Sequence, residues 1–293
     1  MKSTRALSRA NRENTVRSVL TRLFRENRMA AVSFAVIILF ILAAIFAPLL
    51  TPYSWEEMDL IHRLNPPSAA HLFGTDEAGR DIFTRMLYGS RVSLLVGILP
   101  SMVSLAIGSL LGVTAGYYGG WLDAVIMRLA DIVLAFPSML LAMVLMYMLG
   151  GGLFNVFLTL SLVNWASAAR IIRAETLQLK EREFVESART IGVRSPKIIF
   201  RHILPNCVPT IIVLFTLNIP DSILTESSLS FLGLGVQPPA ASWGLMVNAG
   251  RQFFYTSPWL CLFPGMAVMI IVLAFHFLGD GLRDILDPRR RKQ

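Results

Sequence analysis

Apolar residues gather along this chain into blocks too long for strands and too uniform for the one-sided stripe of a water-facing helix. The first block spans 29–50. At about 22 residues it exceeds the roughly 7 to 15 of a signal-peptide core and matches the 20 or so that cross a hydrocarbon layer at about 1.5 Å per residue. It predicts a retained transmembrane helix closed by Pro48 and Pro52. A second helix lies within the charge-free stretch 92–122 and ends near the turn-rich Gly116-Tyr117-Tyr118-Gly119-Gly120. A third starts near Asp123 and reaches 149. The uncharged run 132–169 is too long for one crossing, so Gly150-Gly151-Gly152 predicts a tight reversal before a fourth helix over 153–169. A fifth covers 207–229, and a sixth, 260–278, follows a loop bearing Pro, Gly and Trp. The pattern predicts an all-α membrane protein with six transmembrane helices, since in lipid each backbone polar group has to be bonded within its helix.

Composition agrees, because 54% of the 293 residues are hydrophobic and 16% charged, against about 45–50% and 25% in soluble domains. The net charge of +8 would suit nucleic acid, but the basic residues flank apolar spans in separate blocks, as they do when they orient a membrane protein. Of the 27 Lys and Arg residues, only Arg63, Arg80, Arg85, Arg91, Arg128 and Arg251 fall outside 1–28, 170–206 and 280–293. Six crossings put those three blocks on one side, and the positive-inside rule makes that side the cytoplasm. A multi-pass protein of the inner (cytoplasmic) membrane with both termini inside is expected. The short loop 116–122 carries no Lys or Arg and takes its orientation from its neighbours. The chain divides into a cytoplasmic segment 1–28, a first helix 29–50, an external loop 51–91 with an amphipathic helix, a five-helix core 92–280 containing the cytoplasmic loop 170–206, and a basic tail 281–293. Cys207 and Cys261 have neither the number nor the spacing of a disulfide framework or zinc site and read as packing residues.

The loop 170–206 is the most informative segment. In Glu183-Phe184-Val185-Glu186-Ser187-Ala188-Arg189-Thr190-Ile191-Gly192, the residues Phe184, Ala188 and Ile191 share one helical face with Glu186 and Arg189 elsewhere, so a short amphipathic helix is expected. Gly192 suits the left-handed residue that ends a helix. Ser195 and Pro196 predict the start of a second segment, as N-cap and first helical residue. Pro205 and Pro209 interrupt or tilt the chain where it re-enters the membrane. A protruding helix-turn-helix suits a mechanical lever, while a basic loop resting on lipid headgroups accounts for the same residues equally well on physical grounds alone.

Ionisable residues near apolar spans are functional candidates, because each costs roughly 2.5 to 3.5 kcal/mol at the bilayer centre. Asp221 and Glu226, near the outer end of the fifth helix, either face a translocation path and meet a cationic group or reach the outer interface. Phe231-Leu232-Gly233-Leu234-Gly235, followed by Pro238-Pro239, forms a break that suits either a gate or a packed turn. Arg128 and Asp131, three residues apart, are expected to pair with each other or a neighbouring helix, and His276, with no second ligand at metal spacing, reads as a packing histidine. In the external loop, Asp76 is expected to cap a helix containing Arg80 and Arg85, whose Ile82, Phe83, Met86 and Leu87 lie along the membrane surface. The acid spacing from Asp76 to Asp81 is not that of a calcium loop.

The run Glu186-Ser187-Ala188, three residues, Gly192, then Ile203-Leu204-Pro205 resembles the EAA loop of ABC importer permeases: Glu-Ala-Ala, three residues, Gly, nine residues, Ile-x-Leu-Pro. Ser187 replaces the first Ala and His202 the Ile. Two more segments, from His71-Leu72-Phe73-Gly74-Thr75-Asp76 to Arg85 and from Ser230-Phe231-Leu232-Gly233-Leu234-Gly235 to Pro239, are similar to the C-type subunit of the dipeptide, oligopeptide and nickel permease family. So is the stretch from Leu278-Gly279-Asp280-Gly281 to Pro288. The resemblance implies a type I importer permease in which Phe184, Glu186, Ser187, Ala188, Gly192 and Pro205 couple the pore to ATPase subunits. It also implies a heterodimer with a homologous permease, two ATPase subunits holding ATP and Mg, and an extracytoplasmic binding protein. No phosphate-binding loop is present, because no lysine follows a glycine, so ATP has to be handled by another polypeptide. No catalytic residue, cofactor or metal is expected on this chain. A membrane protease lacks its His-Glu-x-x-His, and a self-sufficient secondary transporter lacks its internal repeat.

Overall fold

The computed structural model describes residues 27–286, so the expectation for 1–28 falls almost wholly outside the described residues, while the tail 281–293 is described only to 286, as the end of the last helix. Helix α1 (Arg28–Ile45) is capped by Asn27, whose side chain accepts from the Ala30 amide at 3.0 Å. A short α2 (Ala47–Leu50), with Pro48 in its first turn, closes that span. After an irregular loop come α3 (Ile82–Tyr118), α4 (Gly120–Leu134), α5 (Ser138–Leu149) and α6 (Leu153–Leu179). Then follow α7 (Glu183–Thr190), α8 (Ser195–Ile198), α9 (Leu204–Phe231), α10 (Trp243–Gly250) and α11 (Trp259–Leu286). Among the described residues five helices are long and apolar enough to cross a membrane, and six if the bent pair α4 and α5 is taken as one span.

Several boundaries differ from those read off the sequence. The third crossing is not one rod: α4 and α5 meet at 88°, because Pro137 disfavours helical backbone at Phe136 and removes a donor. Helix α3 begins ten residues earlier than the charge-free run, so no separate surface helix forms in the external loop. Asp81, not Asp76, caps it, accepting from the Thr84 amide and hydroxyl at 2.7 Å each. Asp76 instead knots the preceding loop, accepting from the Ala78 and Arg80 amides and from Arg80 Nε at 2.7 Å, with the buried Arg85 3.6 Å away. Helix α6 continues to Leu179 and carries its charges against α4. Arg173 bonds Asp123 at 2.5 Å and Arg170 bonds Asp131 at 2.7 Å, so Asp131 pairs with its neighbouring helix rather than with the exposed Arg128.

Residues 195–231 form a continuous rod despite Pro205 and Pro209. A π-helical stretch, Ile199–Ile203, absorbs the first proline, and the Leu204 amide reaches back to the Ile199 carbonyl. Helix α8 starts one residue ahead of expectation, with Arg194 at the cap and Ser195 inside. The reversal at Gly150-Gly151-Gly152 is present, with both outer glycines at positive φ.

Helices α3 and α6 meet along a seam of three glycines. A Cβ on Gly108, Gly112 or Gly116 would lie 2.6, 2.5 or 2.8 Å from Trp165, Ala169 or Thr176. Without a hydrophobic drive between helices in lipid, such small-residue seams let backbones pack directly. Gly112→Val is therefore expected to push the pair apart and destabilise the protein by about 1–3 kcal/mol, the usual result of overpacking. A thermal midpoint in nanodiscs equal to that of the wild type would contradict this account of the seam.

Candidate coupling loop and translocation face

Helix α7 projects from the end of the bundle where α3 and α6 terminate. Glu183 and Glu186 in its first turn and Arg189 in its last complement the helix dipole. It ends as the sequence requires. Gly192 adopts φ +75°, its amide bonds Arg189 O at 2.9 Å, and the Val193 amide bonds Ala188 O at 3.0 Å. The helix packs on the bundle through one side only. Val185 and Ala188 enter a cluster with Val113 and Tyr117 of α3, Ile172 of α6, and Ile198, Ile199, Ile203 and Cys207. Phe184 and Ile191 point away, 42% and 79% exposed. Ala188 sits on the border between two narrow apolar faces, and an eight-residue helix has too few positions for spacing to choose between them. Arg189 lies over the Tyr117 ring at 4.9 Å, a second tie between the loop and α3. Glu186 and Ser187 are exposed beside Phe184. Pro205 stands one turn into the rod, just beyond the π-helical stretch.

Asp221 and Glu226, five residues apart on α9, have opposite environments. Asp221 is exposed on the helix face and within electrostatic reach of the half-buried His276 on α11. Glu226 has no exposed surface. Its carboxylate accepts from Ser230 at 2.7 Å and Ser227 at 3.5 Å, with Ser242 also hydrogen-bonded. A side chain closed off by packing does not line a path in this conformation, so the expected role of Glu226 gives way to an internal tie between α9 and the Ser242 cap of α10. Phe231, 39% exposed, has Arg251 over its ring at 5.8 Å. The segment after it is a fixed turn. The Leu234 amide bonds Leu229 O, the Val236 amide bonds Ser230 Oγ, and Gly235 O accepts from the Gly152 amide at 3.1 Å. A Cβ on Gly235 would sit 2.2 Å from Ser230 Oγ, which leaves no slack for a flexible break.

Cys207 is buried in the α7 platform, and Cys261 is half-buried near Val247 O, both in packing positions. No group of His, Cys, Asp and Glu able to hold a metal occurs among the described residues. In the loop beyond α2, the ring of His62 bonds Asp59 at 2.7 Å and holds that carboxyl below its usual range. Sequence reasoning passed over Glu175 and Arg283, which share a cavity between α6, α9 and α11. The available signal was an acid lying beyond the charge-free run 132–169, on a helix longer than the span.

A bundle of about six crossings with a short amphipathic helix hung between the fourth and fifth is the architecture of the membrane component of an ABC importer. Comparison with known proteins makes the assignment specific. Residues 108–292 match the family described as binding-protein-dependent transport system inner membrane component, and 18–67 match the N-terminal TM domain of oligopeptide transport permease C. This chain belongs to that family of inner-membrane permeases. It is 47% identical over 267 residues to the dipeptide transport system permease protein DppC of Alkalihalophilus pseudofirmus, covering 91% of this chain and 88% of the relative. It is 42% identical to the oligopeptide transport system permease protein OppC of Bacillus subtilis, covering 92% and 88%. It is 45% identical to the glutathione transport system permease protein GsiD of Pectobacterium atrosepticum, covering 92% and 89%. A chain from inward-facing structures of the MetNI methionine ABC transporter aligns with TM-score 0.56 at 16% identity, over 69% of this chain and 96% of that one, a likeness of fold alone. The chain is thus the permease subunit of an ABC importer, and ATPase and binding-protein partners follow from that membership.

Because Ser230 and Ser242 depend on the Glu226 carboxylate, Glu226→Ala is expected to leave buried hydroxyls unsatisfied and lower stability by about 1–3 kcal/mol. Thermal unfolding of the purified variant measures it, and an unchanged midpoint would show that the serine network does not hold α9 to α10.

Proposed function

We propose that this chain forms one half of a heterodimeric pore that imports peptides or a related small solute across the inner membrane. A homologous permease completes the pore, two ABC ATPase subunits bind ATP and Mg and drive it, and an extracytoplasmic binding protein delivers the solute. The chain itself carries no ATPase site. The names of its relatives, which include dipeptide, oligopeptide and glutathione permeases, support this range of solutes. The distribution of Lys and Arg supports cytoplasmic placement of both termini and of α7.

The observation that carries the reading is the construction of α7. Val185 and Ala188 clamp it to the ends of α3 and α6, while Phe184, whose ring meets that of His202, and Ile191 remain exposed apolar side chains on the adjoining face. An apolar pair exposed on a rigid, short helix suits insertion into a groove of a partner protein. Closure of the ATPase pair on ATP would then displace α7, and α7 would carry α8 and the α9 rod with it. Glu186 and Ser187 flank the anchor, Gly192 fixes the turn, and Pro205 marks where the motion enters the membrane. Asp221 and, at the far end, Phe231 present polar and aromatic side chains along the α9 face and are the proposed path residues.

Truncating an interface anchor commonly costs binding a factor of roughly ten or more. Phe184→Ala is accordingly expected to reduce receptor-stimulated ATP hydrolysis by the reconstituted complex about that much. Gly192→Pro is expected to abolish it, because proline can neither adopt φ +75° nor supply the amide that bonds Arg189 O. Membrane insertion of both variants should be unaltered. If both hydrolyse ATP in response to loaded receptor as the wild type does, α7 is not the coupling element.

A further inference from the structure

Between α6, α9 and α11, at the end of the bundle that carries α7, lies a cavity of about 550 Å³. Its walls are mostly aliphatic, and its polar groups are few: Glu175, Asn206, Thr210 and Arg283. Small-solute sites have this make-up, an apolar enclosure with a handful of placed polar groups. The Thr210 hydroxyl stands beside the Glu175 carboxylate, yet Glu175 Oε2 is enclosed and accepts no hydrogen bond. A buried carboxylate oxygen without a donor is costly unless something supplies one. Arg283 lines the same space, and no ion pair joins it to Glu175 or to another acid among the described residues. Two opposite charges thus face one cavity without neutralising each other, which is the complement of a molecule carrying both signs.

The cavity also lies in line with the proposed path. Asn206, Thr210, Val213, Leu217 and Asp221 follow one another along α9 at helical spacings of three and four, a single face on which Asn206 and Asp221 are exposed and Thr210, Val213 and Leu217 are half-buried along the cavity. Asp221 is eleven residues beyond Thr210, roughly 16 Å along the axis. We infer that this cavity is an exit-side station for a zwitterionic solute, with Glu175 taking its ammonium group and Arg283 its carboxylate, after a first carboxylate contact at Asp221. The inference rests on the importer reading above and adds the charge pattern of the cargo to it. Arg is suited to the carboxylate end by its planar fork of donors, and the ammonium offers Glu175 Oε2 the donor it lacks.

The test uses the assembled permease pair with its ATPase subunits in nanodiscs, without nucleotide or receptor, and measures equilibrium binding of L-alanyl-L-alanine, its N-acetyl derivative and its C-terminal amide. Free dialanine should bind most tightly. Glu175→Gln should weaken it roughly tenfold while leaving the N-acetyl compound unchanged, in line with loss of one hydrogen bond to a charged group. Arg283→Gln should weaken free dialanine and spare the amide. Thr210→Val, which leaves the carboxylate in place, should produce a smaller loss and decides the matter if Glu175→Gln fails to assemble. Absent binding, equal binding of all three compounds, or equal losses for all three in the variants would overturn the inference. Receptor-dependent, ATP-driven uptake by the wild-type complex is measured in parallel. Its failure would strike the importer reading itself, whereas uptake without the binding pattern strikes only this site.

Discussion

Where α3 and α6 cross, Gly108, Gly112 and Gly116 leave no room for a side chain between two backbones. That contact sets the height of one helix against the other, because a seam at van der Waals distance cannot slide by less than a turn without collision. It brings Val113 and Tyr117 of α3 level with Ile172 of α6, and those residues make the floor on which Val185 and Ala188 rest. The candidate coupling helix α7 thus rests on α3 and α6 together with Ile198, Ile199, Ile203 and Cys207. Its position is a consequence of three glycines at four-residue spacing in the membrane.

The same seam explains why charges beyond the apolar run stay inside the fold. By extending α6 to Leu179 in register with α3, it sets Arg170 and Arg173 against Asp131 and Asp123 of α4. The two pairs hold the bent α4–α5 crossing, whose own break at Pro137 deprives it of a continuous hydrogen-bonded axis. Each acid near the membrane then falls into one of two classes. Asp123, Asp131 and Glu226 are satisfied by partners within the chain. Asp221 is exposed on α9, and Glu175 keeps an oxygen unfilled beside the cavity that α9 helps to line.

Much of this was legible in the sequence because lipid makes few demands and makes them strictly. Charge-free length located the crossings, the triple glycine located the reversal, and Gly192 located the end of α7. What escaped depended on contacts between segments remote in the chain. Asp81 rather than Asp76 caps α3 because the loop before it folds back around Asp76, a knot that spans residues 62–85. Which side of α7 packs on the bundle was not legible, because Ala188 belongs to both of its apolar faces and the platform decides which is covered. Glu226 looked like a path residue for the reason that makes any intramembrane acid look so; its serine partners, one of them on a different helix, are invisible to helical spacing.

The chain from α7 to α9 is the remaining step. No flexible linker separates the lever from the membrane: Gly192 closes α7 through two backbone bonds, α8 follows within three residues, and the rod runs unbroken to Phe231. Its π-helical stretch is Ile199–Ile203, ahead of Pro205, where the hydrogen-bond ladder is already shifted by a residue, and Pro209 and Pro220 each remove a further donor within α9. A rod stiff on both sides of a yielding turn converts a displacement at one end into a change of tilt at the other. Ile199 and Ile203 on that turn are packed into the same platform as Val185 and Ala188, so in the proposed mechanism a force on α7 would act on the π-helical turn as well as on the ends of α3 and α6. The face of α9 with Asp221 and Thr210 on it would then swing relative to α6 and Glu175, opening or narrowing the cavity between them. In the proposed mechanism the glycine contacts at α3–α6 would supply the fulcrum and α9 the arm.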